Sequence, residues 1–274
     1  MPMDERKLPP GFFLLKGENI FEPTEATIGP WSADLQHGGP PCALLAFALR
    51  TFPGPDDFQV ARLTIEFLGP VPVKPCEIKV TRIRQGKRIE LLRGEYLADG
   101  KCCLVASAWR LQIESGSTNP LADDFQIPEI PPPQEFRSFP GISYFPYGDA
   151  LEWRFTQGGY DSLGPATVWT RPRIPLVAGH DLHGLEALIL MVDSANGISA
   201  ELDIREWTFV PVDLTIGLYR QPGGEWTGMS ARTVMGSEGI GQSSTVVFDC
   251  QGKVGQSLHT LFIRPKQEAA ANNR

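Results

Sequence analysis

The sequence predicts an α+β fold of two repeats, each a buried central helix wrapped by a curved antiparallel sheet. Three observations lead there. The runs VARLTIEFLGPVP (60–72) and PVDLTIGLYRQPGG (211–224) are related: Leu63, Thr64 and Ile65 match Leu214, Thr215 and Ile216, in alternating strands that close on a proline turn. Ahead of each run lies a segment that is apolar nearly all round, 40–51 and 185–197. A helix with no polar face must be covered on every side. After each run come three alternating segments, and an antiparallel sheet curved around the helix supplies that cover.

The elements follow in order. In the first half the alternating segments are CEIKVTRIR (76–84), RIELLRGEYL (88–97) and KCCLVASAWRLQI (101–113). In the second they are WTGMSARTV (226–234), GQSSTVVFD (241–249) and KVGQSLHTLFIRP (253–265). The last hairpin of each half turns on a glycine before lysine, Ala98-Asp99-Gly100 and Cys250-Gln251-Gly252. ALEWRFTQG (150–158) and PATVWTRPR (165–173) read as strands opening the second half. Between the halves, 114–147 is rich in Pro, Ser and Gly and reads as a surface linker. The expected division is residues 1–115, a linker at 116–147, and residues 148–268.

The composition is that of an ordinary globular chain: 274 residues, 42% hydrophobic and 21% charged, with a net charge of −7. Interspersed charge of that sign argues against nucleic acid and anionic membranes as partners. The cysteines are five in number, two are adjacent, and no C-x-x-C pair occurs. A disulfide framework and a zinc site are both disfavoured, and a reducing compartment is expected. The start MPMDERKLPP has no apolar stretch of the signal-peptide kind, and no run approaches 18 apolar residues. The reading is a cytoplasmic protein without membrane insertion. G-x-S-x-G, G-x-G-x-x-G, H-E-x-x-H and the phosphate-loop motif are absent, so no serine-elbow, dinucleotide, zincin or nucleotide chemistry is indicated. No metal and no cofactor are expected.

The stretch QHGGPPCALLAFALR (36–50) opens the first helix. Glycines form the turn, and Pro40 and Pro41 occupy the first turn, where a missing N–H costs nothing. The same glycines leave backbone N–H groups open to a ligand at the positive end of the helix. An oxyanion on a carbonyl would be stabilised there, so Gly38 and Gly39 are candidate binding residues, and His37 either contacts the ligand or caps the helix. Asp213 alternates with Val212, Leu214, Ile216 and Leu218, so it shares the other strand face with Thr215. Its counterpart in the first repeat is Arg62, so the halves have diverged in charge at this point. Asp193 and Asn196, in DSANG, read mainly as a polar helix end before a C-cap glycine, Gly197. Arg82, Arg84, Lys87 and Arg88 form a basic hairpin, either a solvated face or a phosphate contact.

Taken together, QHGGPP, ARLTIEFLGPVPV, DSANGISAELDIREWTFVPVDLTIGLYRQPGGEW and GQSLHTLFIRP resemble the acyl-CoA thioesterase II-like family of double-hotdog proteins, over nearly the whole chain. The resemblance implies a double-hotdog fold and hydrolysis of an acyl-CoA thioester to free acid and CoA. It further implies that Asp213 is the general base that activates water, that Thr233 supplies a supporting hydroxyl, and that the last strand supplies a glutamine. Counted back from Arg264, that glutamine position holds His259, a departure from the family. The substrate-binding residues would be His37, Gly38 and Gly39. Association into a homo-oligomer through the sheets is expected. The departure at His259 keeps open a non-catalytic acyl-CoA or lipid-binding protein, and an acyl-CoA hydratase is a further alternative.

Overall fold

The computed structural model describes residues 7–114, 116 and 124–266. The charged start at residues 1–6, residues 115 and 117–123 around the expected linker, and residues 267–274 lie outside them. In chain order, two short strands, β1 (Phe13–Leu15) and β2 (Ile20–Pro23), precede helix α1 (Gly39–Thr51). The strands β3 (Phe58–Phe67), β4 (Cys76–Arg84), β5 (Ile89–Ala98) and β6 (Lys101–Gln112) follow. The second half opens with the helical turn α2 (Pro146–Asp149) and strands β7 (Leu151–Gln157) and β8 (Ala166–Pro172). Then come helix α3 (Gly184–Val192), the turn α4 (Ala195–Ile198), β9 (Trp207–Pro211), β10 (Asp213–Leu218), β11 (Thr227–Met235), β12 (Ile240–Asp249) and β13 (Gly252–Pro265).

The strands form one antiparallel sheet in the order β1-β2-β4-β5-β6-β3-β10-β13-β12-β11-β8-β7, with β9 on β13. The two repeated Leu-Thr-Ile runs meet at its centre, paired with each other: Leu63 opposite Ile216, Thr64 opposite Thr215, Ile65 opposite Leu214. Leu63, Ile65, Leu214 and Ile216 are all buried in the core, so the shared motif is the seam along which the halves join. The turn at Asp99 and Gly100 has both residues at positive φ (51° and 70°), the conformation a two-residue hairpin requires.

The two helices are buried as their patterns require. From Cys42 to Ala46 and from Leu185 to Val192 every side chain is buried. They pack antiparallel, since the start of α1 meets the end of α3 and Arg50 at the end of α1 donates to Glu186 at the start of α3 (2.7 Å). Burial raises the pKa of Glu186 even so, with Arg50 opposing.

Two expectations need correction. Helix α3 ends at Val192, with Asp193 as its C-cap in right-handed geometry, and Gly197 has no positive φ. Gly197 therefore lies in the next turn, against the Phe139 ring, and is no helix-terminating glycine. The described part of the expected linker has no regular element before Pro146, but it is not merely superficial: Phe139 and Phe145 are buried. Gln134 accepts from Phe155 N–H (2.8 Å) and donates to its carbonyl (2.9 Å), satisfying the outer edge of β7 as a partner strand would.

The helices approach closely at Gly39. A Cβ there would fall on the Leu190 carbonyl of α3. Gly39→Ala should therefore destabilise the fold by about 1–3 kcal/mol through overpacking, read as a lowered urea midpoint with an unchanged slope.

Candidate active site between the helix ends

Where α1 begins and α3 ends, a carboxylate is buried against an imidazole. Asp193 Oδ2 lies 3.2 Å from His37 Nδ1, and Asp193 is 5% exposed. The glycines make the approach possible. A Cβ on Gly38 would stand 2.6–2.9 Å from the Asp193 carboxyl atoms, inside any contact a carbon tolerates. The Gly39 N–H donates to His37 Nδ1 (3.1 Å), and Pro40 and Pro41 contribute no N–H at all. The helix mouth thus spends its Gly39 donor on the His37–Asp193 pair, a different use from the open oxyanion hole expected from sequence.

Burial sets the electrostatics. It pushes Asp193 up to about 7, with the Gly39 N–H acting in the opposite direction. It pulls His37 down to about 3, aided by repulsion from His259. A salt bridge between fully ionised partners is therefore not the resting state. Nδ1 already accepts the Gly39 N–H, so the imidazole stays neutral; the Asp193 carboxyl carries its own proton below about pH 7 and loses it above, where the carboxylate is free to act as a base. The His37 ring is held flat by Tyr147, stacked at 3.8 Å and 5°. Tyr147 Oη in turn donates to the Leu190 carbonyl and lies 3.0 Å from Ser194 Oγ, fixing the end of α3. Asp193 Oδ1 has no hydrogen-bond partner.

Sheet residues complete the surroundings. Thr233, Ser243 and His259 stand side by side across β11, β12 and β13, and all three are buried. Ser199 Oγ donates to the Ala195 carbonyl (2.7 Å), so Thr233 is the donor in its 2.8 Å contact with Ser199. His259 makes no hydrogen bond through either ring nitrogen, and burial lowers it to about 4 despite the opposing field of Asp213. His37, Gly38 and Gly39 are brought together at the helix mouth, His259 is near enough for its charge to act on His37, and Thr233 is on the same sheet row as His259. Asp213 is placed differently. It is only half-buried, and its Oδ1 accepts the Thr260 N–H (2.6 Å). Between Pro211, opposite Leu261, and Thr215, opposite Leu258, β9 and β10 hold one residue more than β13, and Asp213 caps the amide freed by that bulge. Of the basic hairpin, Arg82 is tied to Glu90 (2.9 Å) and to the Pro53 carbonyl.

Asp193 and Ser243 were not singled out as site residues from sequence, though one signal for Asp193 was present. His183-Gly184 repeats His37-Gly38, and each histidine accepts from the N–H two residues on (3.2 and 3.1 Å). With the two histidines aligned, the α1 residue that corresponds to Asp193 is Phe47. The two helix mouths share a cap, but the carboxylates differ: at the α3 mouth Glu186 accepts the His183 N–H (2.9 Å) and pairs with Arg50, whereas Asp193 faces the α1 mouth with His37 beside it in place of an arginine. Among the described residues no group of three or more His, Cys, Asp or Glu side chains is gathered to hold a metal ion, and no helix is long and apolar enough to cross a membrane.

No curated protein matches the sequence. Among solved structures, a protein with hot dog fold from Alicyclobacillus acidocaldarius is 18% identical, with 94% of this chain and 96% of that chain covered and a TM-score of 0.71. An acyl-CoA thioesterase II from Mycobacterium marinum is 17% identical, with 96% of both chains covered and a TM-score of 0.63. A dehydratase domain of the Curacin polyketide synthase is 14% identical, with 95% and 98% covered and a TM-score of 0.54. These likenesses establish the hotdog architecture. The sequence further matches the acyl-CoA thioesterase N-terminal domain over residues 27–111 and the acyl-CoA thioesterase C-terminal domain over residues 125–263. With both halves matched in order on a double-hotdog scaffold, the chain belongs to the acyl-CoA thioesterase family.

Proposed function

We propose that this chain hydrolyses acyl-CoA thioesters with Asp193, rather than Asp213, as the general base. The observation that carries this is the buried Asp193 carboxyl, raised to about 7 and aligned by His37 at the mouth of α1. A base is most effective when its pKa lies near the working pH. Above that value Asp193 accepts a proton from water as the water oxygen attacks the thioester carbon. The tetrahedral oxyanion then collapses, the C–S bond breaks, and Asp193 returns the proton to the leaving thiolate. His259, neutral and without a partner, orients the water or holds the carbonyl oxygen. A cavity of about 220 Å³ lined by Phe139, Tyr160, Gly197, Ala200, Leu202 and Ile204, among others, lies against α4, the turn that follows Asp193, and is the route we assign to the thioester. Hydrolysis of this kind takes place in a reducing cytoplasm without a cofactor.

Asp193→Asn should fold, bind acyl-CoA and lose about 10²–10⁴-fold in the rate of thiol release. Asp213→Asn keeps an oxygen for the Thr260 amide and should stay within about threefold of wild type. If their effects are reversed, the base is Asp213.

The pH dependence has a fixed sign. The wild-type kcat/KM should rise through an inflection near pH 7 and then level, because the ionised form of Asp193 is the active one. The groups facing Asp193 are His37, Cys42, Tyr147 and Tyr160. Burial lowers His37 and raises the other three, so none ionises between pH 5 and 8.

Stability moves the other way. The folded pKa of Asp193 is above its unfolded value, so its contribution is full below about pH 4 and is lost as pH rises through 7. Asn has no charge to bury, so the melting temperature of Asp193→Asn should gain on wild type between pH 5 and 8.

A further inference from the structure

On β12 and β13 five buried polar atoms have no hydrogen-bond partner: Ser243 Oγ, Thr245 Oγ1, Ser257 Oγ, and both ring nitrogens of His259. The four residues form two rungs, Ser243 opposite His259 and Thr245 opposite Ser257. Both rungs lie on the buried face of the sheet that also carries Leu261 and Val247. Two residues along a strand separate the rungs, a rise of about 6.8 Å.

The fold does not call for this polarity. On the buried face of the first-half hairpin, the rungs Leu92–Ala108 and Gly94–Ala106 have no polar side chain. Valine or alanine at Thr245 and Ser257 would fill the same space and leave nothing unsatisfied. Buried polar groups are almost always hydrogen-bonded, because an unmade bond carries the full cost of desolvation. A concentration of five such atoms therefore points to a ligand that satisfies them.

The location says which part of the ligand. The first rung contains His259, whose charge would be felt at His37, and it continues the row to Thr233. The second rung lies two residues further along β12 and β13 from the row that holds His259 and Thr233. Hydroxyls both donate and accept, and a neutral imidazole does one of each, which suits an alcohol or a carbonyl oxygen. With His259 engaged by the water or the thioester carbonyl, a plain hydrocarbon chain would still leave the hydroxyls of Ser243, Thr245 and Ser257 unsatisfied.

We propose that these two rungs recognise the acyl group, and that the substrates are acyl-CoA thioesters with a hydroxyl or oxo group on the acyl chain. The proposal rests on the thioesterase reading for the carrier and the reacting bond, and adds the acyl class.

The test measures binding and hydrolysis separately on the full chain. Thioether analogues, with a methylene between sulfur and carbonyl, would be made of butanoyl-CoA, octanoyl-CoA and their 3-hydroxy counterparts, and titrated by calorimetry. At one chain length or both, the hydroxylated analogue should bind more than about tenfold tighter, since a site built for a hydroxyl rejects a ligand without it. The pair of substitutions Thr245→Val and Ser257→Ala should bring that ratio close to one, with a melting temperature equal to or above wild type. Equal binding of plain and hydroxylated analogues at both lengths, or a ratio that survives both substitutions, overturns the proposal. Thiol release from the parent thioesters is followed in parallel. A binding preference with no thiol release supports the acyl assignment and overturns hydrolysis instead. Thiol release with equal binding does the reverse.

Discussion

A buried carboxyl group where two buried helices meet is the constraint on which the rest of this molecule depends. Asp193 caps α3 where α1 begins, and it reaches His37 only because Gly38 and Gly39 have no side chains. The same closeness that lets the helices pack excludes water from the carboxyl and raises its pKa into the neutral range. Packing and acid–base chemistry are thus two consequences of one approach of backbones. The aromatic segment after the first half reinforces it, since Tyr147 stacks on His37 and its backbone N–H donates to the Ile28 carbonyl (3.0 Å).

The internal repeat accounts for the scaffold, and its breakdown accounts for the site. Both halves contribute a Leu-Thr-Ile strand to the central seam, and both helices begin with a His-Gly cap. A perfectly symmetric molecule would have two identical helix mouths. Here α1 has Phe47 where α3 has Asp193, so Asp193 has no counterpart, while the acid at the other end of the helix pair, Glu186, is paired with Arg50. The sheet has diverged likewise, with hydroxyls and an imidazole on the second-half rungs where the first half is apolar. The shared part supplies the apolar core and seam, and the buried polar groups are concentrated where the halves differ, a placement that costs stability.

Period and punctuation determined much of this protein from sequence alone. Apolar segments at 40–51 and 185–197 had to be buried helices, the matched runs around Leu63 and Leu214 had to be strands, and the alternating segments after them could satisfy their backbones only as an antiparallel sheet. Those are local patterns with one physical solution each. The helix mouth at His37, Gly38 and Gly39 was legible for the same reason, because glycine and proline state their backbone geometry directly. The placement of carboxylates was not legible. Asp213 and Asp193 look alike as letters, one on a polar strand face and one at a helix end. Only the tertiary structure turned the first toward the amide of Thr260 and enclosed the second against His37. Burial and the identity of the facing group decide a pKa, and both come from parts of the chain more than a hundred residues apart in sequence.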